Sequence, residues 1–335
     1  MNLIAFDLEM NRYNAEHLFD YHGGEQSLRG EIVQIGAVKL DMDGTVRDTF
    51  SLNLRPRIFR LLSPFVAKVT GITQQQLNSG VPMREGLAHF VDWCGADAVL
   101  LEWSMDDIPV LKQNLFVNEL DETWPTNFYD LQPIFCKQFP LGEGDKLNLE
   151  AVITRLGLPM NRSYHNALAD ALYTADICGV LDLATGLAEY ADESEQMRRT
   201  MCFNPDNTYY GFAAYGPFYT RATWDDAAQI EPPRCPLCGE ALVSHIDDIW
   251  LPRGKNSRYT LQVCAQHGTW LVREKSIQFD GLHWHFSRVF ERPDEKMCKK
   301  VNADVTRILK RRSVAAAEKA AQAAEETAQT PVCVS

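Results

Sequence analysis

In LIAFDLEM, residues 3–10, two carboxylates stand two places apart inside an apolar run. Such a run reads as a buried strand, and alternate residues on a strand point to one face, so Asp7 and Glu9 stand side by side. Like charges held close in a poorly hydrated place are costly unless something positive lies between them. The pair therefore asks for a cation, and the rest of the chain must supply the other ligands.

The 335 residues are 45% hydrophobic and 23% charged, enough for a substantial core and more than one domain. No long apolar run and no charged-then-apolar leader is present, so a soluble, cytoplasmic protein with no membrane segment is expected. Of nine cysteines only Cys235 and Cys238 are closely paired, which suits reduced thiols with one metal site better than a disulfide framework. The net charge of −12 argues against a nucleic-acid partner, but its distribution does not. Residues 1–185 carry 14 Lys+Arg against 25 Asp+Glu, or −11; residues 230–312 carry 15 against 10, or +5. An acidic front half and a basic back half have two electrostatic tasks.

The pattern predicts strands at LIAFDLEM, EIVQIGAVKLD and TVRDTFSLNLRP, the last two joined as a hairpin by the turn DMDG. Helical spacing follows in SPFVAKVTG and MREGLAHFVDWCG, then a buried strand DAVLLEW and the helix DDIPVLKQNLFVNEL. NFYDLQPIFCKQF adds a strand-to-helix step, LNLEAVITRLG a helix, and HNALADALYTADICGVLDLAT one long helix. This is an α/β domain over 1–185, a mixed sheet flanked by helices. An irregular connecting segment over 186–229, a small β-rich module over 230–312 and an Ala/Glu-rich tail without stable structure over 313–335 complete the expected organisation.

Two further acids stand where the first pair needs partners. Asp107 opens the helix after DAVLLEW, and Asp170 lies five residues after His165 in YHNALADA. Four converging carboxylates suit two hard divalent ions such as Mg²⁺ or Mn²⁺, a pair that can clamp the attacking and leaving oxygens of a phosphodiester. A nearby neutral histidine can take the proton of an attacking water. Taken singly each feature has a plainer reading: a solvated strand edge for Asp7 and Glu9, a capping pair for His165 and Asp170, a helix N-terminus for Asp106-Asp107-Ile108-Pro109. In this order within one α/β pattern they reinforce one another.

FDLEM, EIVQIGAVKLD, SPFVAKVTGIT, EWSMDDIPVL, YDLQPIF and HNALADA resemble successive motifs of the DEDDh 3′–5′ exonucleases over roughly residues 1–183. That resemblance implies an RNase H-like fold, Asp7, Glu9, Asp107 and Asp170 as ligands of two metal ions, and His165 as general base. It also implies release of nucleoside 5′-monophosphates from single-stranded 3′ ends, with RNA favoured over DNA, and terminal-nucleotide contacts from Met10 and Asn11. Some members work as dimers, so a homodimer is compatible with it. Where many relatives have Asn, this chain has Trp103, which either stacks on a base or fills the core. Asp106 and Asp107 compete for the second motif, with Asp107 preferred because Leu111 then falls on the helix's buried face. Residues 11–29 lengthen the first hairpin with a polar loop able to line the substrate's path.

Cys235-x2-Cys238 followed by Cys264-x2-His267 has the spacing of two knuckles around one structural Zn²⁺, each followed by a glycine, Gly239 and Gly268. A redox pair is the alternative, but no thioredoxin-like strand and helix surround it. Around the knuckles Arg253, Lys255, Arg258, Arg273, Lys275 and Arg288 alternate with aromatics, which suits either a nucleic-acid-tracking surface or a β-ribbon with an aromatic core. The sequence thus predicts a metal-dependent 3′–5′ exonuclease with a zinc-ribbon-like module. Its rivals are a DNA proofreading or repair exonuclease, or a non-catalytic adaptor on the same fold.

Overall fold

The computed structural model describes residues 2–12, 16–142, 146–190, 210–219, 232–245, 249–278 and 280–328. In chain order the elements are β1 (Asn2–Asn11), β2 (Leu18–Tyr21), β3 (Gly24–Ser27), β4 (Glu31–Leu40), β5 (Val46–Arg55), α1 (Pro64–Thr70), α2 (Gln74–Ser79), β6 (Val81–Pro82) and α3 (Met83–Cys94). There follow β7 (Ala98–Glu102), α4 (Asp107–Val117), β8 (Asn127–Asp130), α5 (Leu131–Gln138), α6 (Leu149–Leu156), α7 (Ala167–Cys178) and α8 (Leu183–Tyr190). The remainder is β9 (Gly211–Phe218), β10 (Val243–Ser244), β11 (Leu251–Pro252), β12 (Ser257–Cys264), β13 (Gly268–Gln278), β14 (Trp284–Glu291) and α9 (Glu295–Ala328).

The chain divides into two compact units. The first holds residues 1–197 with 217–223 and 278–284, and the second holds the rest. In the first, the strand order is β6-β5-β4-β1-β7-β8, with β1 antiparallel to β4 and parallel to β7. This is the mixed sheet the sequence predicts, including the β4–β5 hairpin closed by the bond from the Gly44 N–H to the Asp41 carbonyl. Both faces are covered. On β1 the even-numbered Ile4, Phe6 and Leu8 enter a core with α3 and α4 residues, while Leu3 and Ala5 enter a second core with residues of α5, α6 and α7. Asp7 and Glu9 continue the odd-numbered row towards α7.

Several local expectations change. The long helix expected over 165–185 is two: α7 ends at Gly179, and Asp182 starts α8 by accepting from the Thr185 N–H. Within the expected loop of 11–29, residues 18–27 form their own two-stranded sheet, β2–β3. The connecting segment carries a strand, β9, and the Ala/Glu-rich tail expected to lack structure continues α9 to Ala328. Residues 329–335 lie outside the described residues, as do 191–209 and 220–231.

The second unit is a sheet ordered β10-β12-β13-β14-β9, with β11 also on β12. Trp270 and Val272 of β13 pack on one face with Cys235 and Cys264, and Leu271 packs on the other with Val301 and Val305 of α9. Alternation along one strand therefore serves two small cores. Three of the basic residues named for a stripe are paired with acids. Glu274 receives both Arg258 (2.7 Å) and Arg288 (2.7 Å), Arg273 pairs with Glu291 (2.8 Å), and Trp270 is fully buried. The β-ribbon reading accounts for Arg258, Arg273, Arg288 and Trp270.

Candidate active site and metal centres

Gly36 on β4 pairs with Asp7 on β1. A Cβ at Gly36 would come within 2.0 Å of the backbone of Ala167 and Leu168, so its hydrogen lets the first turn of α7 lie directly on the sheet. The Ala167 N–H donates to Gln34 Oε1 (2.9 Å), fixing that approach, and Asn166 caps the helix by accepting from the Ala169 N–H. The result places Asp170 and the preceding His165 over Asp7 and Glu9. His165 sits at φ +60°, a left-handed conformation that costs a non-glycine residue energy and is stored at sites needing a particular side-chain direction. Its N–H donates to Asp170 Oδ2 at 2.8 Å.

From the other side, β7 delivers α4. Asp107 Oδ2 accepts from the Leu8 N–H (3.2 Å), tying the first helical residue of α4 to β1. Asp106 is exposed and bonded to Ser104, so Asp107 is the acid brought to the centre. The α4 N-terminus is capped by a residue the motif reading passed over. Glu102, fully buried, accepts from the N–H groups of Asp107 (2.9 Å) and Ile108 (3.3 Å). An acid ending an otherwise apolar strand just before a helix was its signal in sequence.

Asp7, Asp107, His165 and Asp170 line one cleft of about 270 Å³ together with Trp103 and Tyr164. Ligand atoms of Glu9, His165 and Asp170 lie within 4.8 Å of one another. The four clustered acids are pushed up: Asp7 well above its usual range by burial and then by Asp107, Asp170 and Glu9; Asp107 by burial and then Glu102. Burial, with Asp170 adding, lifts Glu9 to about 7, and burial lifts Asp170 to about 6. Asp170 Oδ1 is buried with no hydrogen-bond partner. A crowd of buried acids with one orphaned oxygen is what hard divalent cations satisfy, so the donor set fits such ions.

One substrate-contact expectation changes. Asn11 is fully buried, donates to the carbonyls of Phe59 and Leu61 (both 2.8 Å) and accepts from the Ser63 N–H (2.9 Å). Its side chain pins the 59–63 loop and, buried with both N–H donors used, has no donor left for a nucleotide. Trp103 packs as the core reading has it: Nε1 donates to the Leu147 carbonyl (2.7 Å) and the ring packs on Phe135, and the residue also lines the cleft. Met10 is half-buried against the α3–α4 core.

In the second unit Cys235, Cys238, Cys264 and His267 converge. The first pair sits in a knuckle closed by the bond from the Gly239 N–H to the Cys235 carbonyl, with Gly239 at φ +75°; the second flanks the β12–β13 turn. Cys238 and Cys264 sulfurs are 3.7 Å apart, and His267 Nδ1 is 3.6 Å from both Cys235 and Cys264 sulfurs. A tetrahedron with Zn–S of about 2.3 Å and Zn–N of about 2.05 Å has edges of roughly 3.8 and 3.6 Å. The cage has the size of a zinc ion.

A buried acid cluster suited to divalent cations, an imidazole beside it and a mixed sheet beneath define a DEDDh-type 3′–5′ exonuclease, a phosphodiester hydrolase. The exonuclease family model RNase_T matches residues 4–178, and the chain belongs to that family. The probable 3′–5′ exonuclease KapD of Bacillus subtilis is 27% identical over 148 residues, 44% of this chain and 71% of that protein. ERI1 exoribonuclease 2 of Xenopus laevis is 36% identical over 64 residues, 19% of this chain and only 9% of that protein. Among solved structures, the nuclease domain of 3′hExo, a DEDDh family member bound to rAMP, aligns at 19% identity and TM-score 0.44, over 57% of this chain and 94% of that one. Members of the DEDDh class use divalent metal ions. No single helix among the described residues is long and apolar enough to cross a membrane.

Proposed function

We propose that the protein trims single-stranded nucleic acid from its 3′ end, RNA in preference to DNA, releasing nucleoside 5′-monophosphates. The observation that carries this reading is the convergence of Asp7, Asp107, Asp170 and His165 on one cleft, with Glu9 beside them. The preference for RNA draws on the exoribonuclease names of the Xenopus and human relatives. Asp7, Glu9, Asp107 and Asp170 would hold two Mg²⁺ or Mn²⁺ ions, which when bound supply the positive charge that activates water and stabilises the leaving 3′ oxygen. His165, exposed at the cleft's rim, accepts the proton of the attacking water. Asp170, bonded to the His165 backbone, sets where that imidazole stands. Trp103 offers a ring edge to a terminal base. Cys235, Cys238, Cys264 and His267 hold one structural Zn²⁺ with no position left for chemistry. The setting is reducing and cytoplasmic.

The test is trimming of matched 5′-labelled single-stranded RNA and DNA with Mg²⁺, Mn²⁺ or chelator, with Asp7→Asn as control. A ladder shortening from the 3′ end, faster on RNA and absent in the variant, supports the reading. Faster trimming of DNA would favour a proofreading or repair role, and tight binding without trimming an adaptor.

A further inference from the structure

The acidic first unit holds one cationic concentration. Of the 14 Lys and Arg in residues 1–185, four arginines line a single cleft of about 480 Å³: Arg55, Arg57, Arg60 and Arg84. Glu119 is the only acid lining it among the described residues; its carboxylate is 3.6 Å from Arg84 and 87% exposed. Glu31 lies beneath, but its carboxylate is occupied by the backbone N–H groups of Arg57, Ile58 and Phe59.

The guanidinium groups are placed by the backbone. Arg57 donates to the Val117 carbonyl (2.7 Å) and Arg84 to those of Asn118 and Glu119 (2.9 Å for the latter), at the C-terminal end of α4 where the helix dipole is negative. Arg60 Nε donates to the Arg57 carbonyl (2.9 Å). Each guanidinium has five N–H donors, so most remain for a ligand, in a fork that matches phosphate oxygens. Among the described residues the cleft has no aromatic lining for a base to stack on.

Its position is fixed by the sheet. Glu9 pairs with Gln34, and Gln34 with Asn53, so Asn53 lies two strands across from Glu9. Arg55 is two residues further along β5, which runs parallel to β1. With about 4.8 Å between strands and 3.3 Å per residue, Arg55 lies roughly 12 Å from Glu9 along the backbone surface. The 59–63 loop that Asn11 pins carries Arg60 of the cleft.

We propose that this arginine cleft holds backbone phosphates of the polynucleotide some way from the bond being cut. The inference rests on the exonuclease reading. Outside the metal centre the first unit is acidic, and a separate cationic hold gives a polyanion a point of attachment there without reading sequence.

The test is binding of a 5′-fluorescein-labelled twenty-nucleotide uridine RNA by anisotropy across salt concentrations, in an Asp7→Asn background to prevent cleavage. Turnover of a three-nucleotide RNA is measured in parallel without that background change. For Arg57→Ala/Arg60→Ala, the slope of log K against log salt should shrink by about 1.4, and affinity for the long RNA at 0.1 M salt should fall about 25-fold. Arg60→Glu, whose guanidinium bonds only locally, should weaken long-RNA binding in the same direction. Turnover of the short RNA should stay within about twofold for both variants. An unchanged slope and affinity for the long RNA would overturn the proposal, as would a parallel loss on the short one. If the unaltered protein turns over neither RNA, the exonuclease reading fails, and the cleft proposal with it.

Discussion

Replacing Glu9 with Gln tests the electrostatics of the site directly. Burial, and after it the Asp170 charge, lifts the Glu9 carboxyl from 4.5 to about 7. A folded-state value above the unfolded one means the folded chain holds a proton the unfolded chain has released. Stability therefore falls as pH rises from about 4.5 to 7 and is level above. The shift is worth about 3 kcal/mol. With divalent cations dialysed away, Glu9→Gln removes this loss, so its stability relative to the unaltered protein should grow by about 3 kcal/mol between pH 4.5 and 7.5. For a unit of this size that is roughly 6–12 °C in melting temperature. Calorimetry at several pH values reads the difference, and saturating Mg²⁺ or Mn²⁺ should shrink or reverse it, because the cation favours the ionised carboxylate only the unaltered protein has. A difference that stays flat across the range without cations would refute the reasoning.

Gly36→Ala should lower both stability and trimming rate, because its Cβ would displace the first turn of α7 and with it His165 and Asp170; kinetics beside thermal melts check this. Glu102→Ala, which leaves two N–H groups of α4 without their acceptor, should cost about 1–3 kcal/mol, while Glu102→Gln should recover most of it by denaturant titration. His165→Ala should slow trimming by about 10²–10⁴-fold yet leave the long-RNA affinity close to unchanged, by kinetics and anisotropy. Cys264→Ser should reduce bound zinc from one ion per chain towards none by elemental analysis, and shift the emission of Trp270, which packs against Cys264 and Cys235.

The elements legible in the sequence are those set by neighbours two to four residues away. The Asp7/Glu9 row follows from strand alternation, and the Cys/His knuckles from short turns, so the grouping of these side chains was readable from spacing alone. Other features depend on partners far along the chain. The choice of Asp107 over Asp106 is made by a bond from Leu8, 99 residues away, and Asn11 is withdrawn from the substrate by a loop about 50 residues on. Arg258, Arg273 and Arg288, half of the basic residues read as a nucleic-acid stripe, pair across strands with Glu274 and Glu291, while four arginines with no motif between them line one cleft beside the end of α4. Periodicity tells which face a side chain takes. What it meets there is decided by strand register and by how closely helices approach the sheet, and at Gly36 that approach turns on the absence of one methyl group.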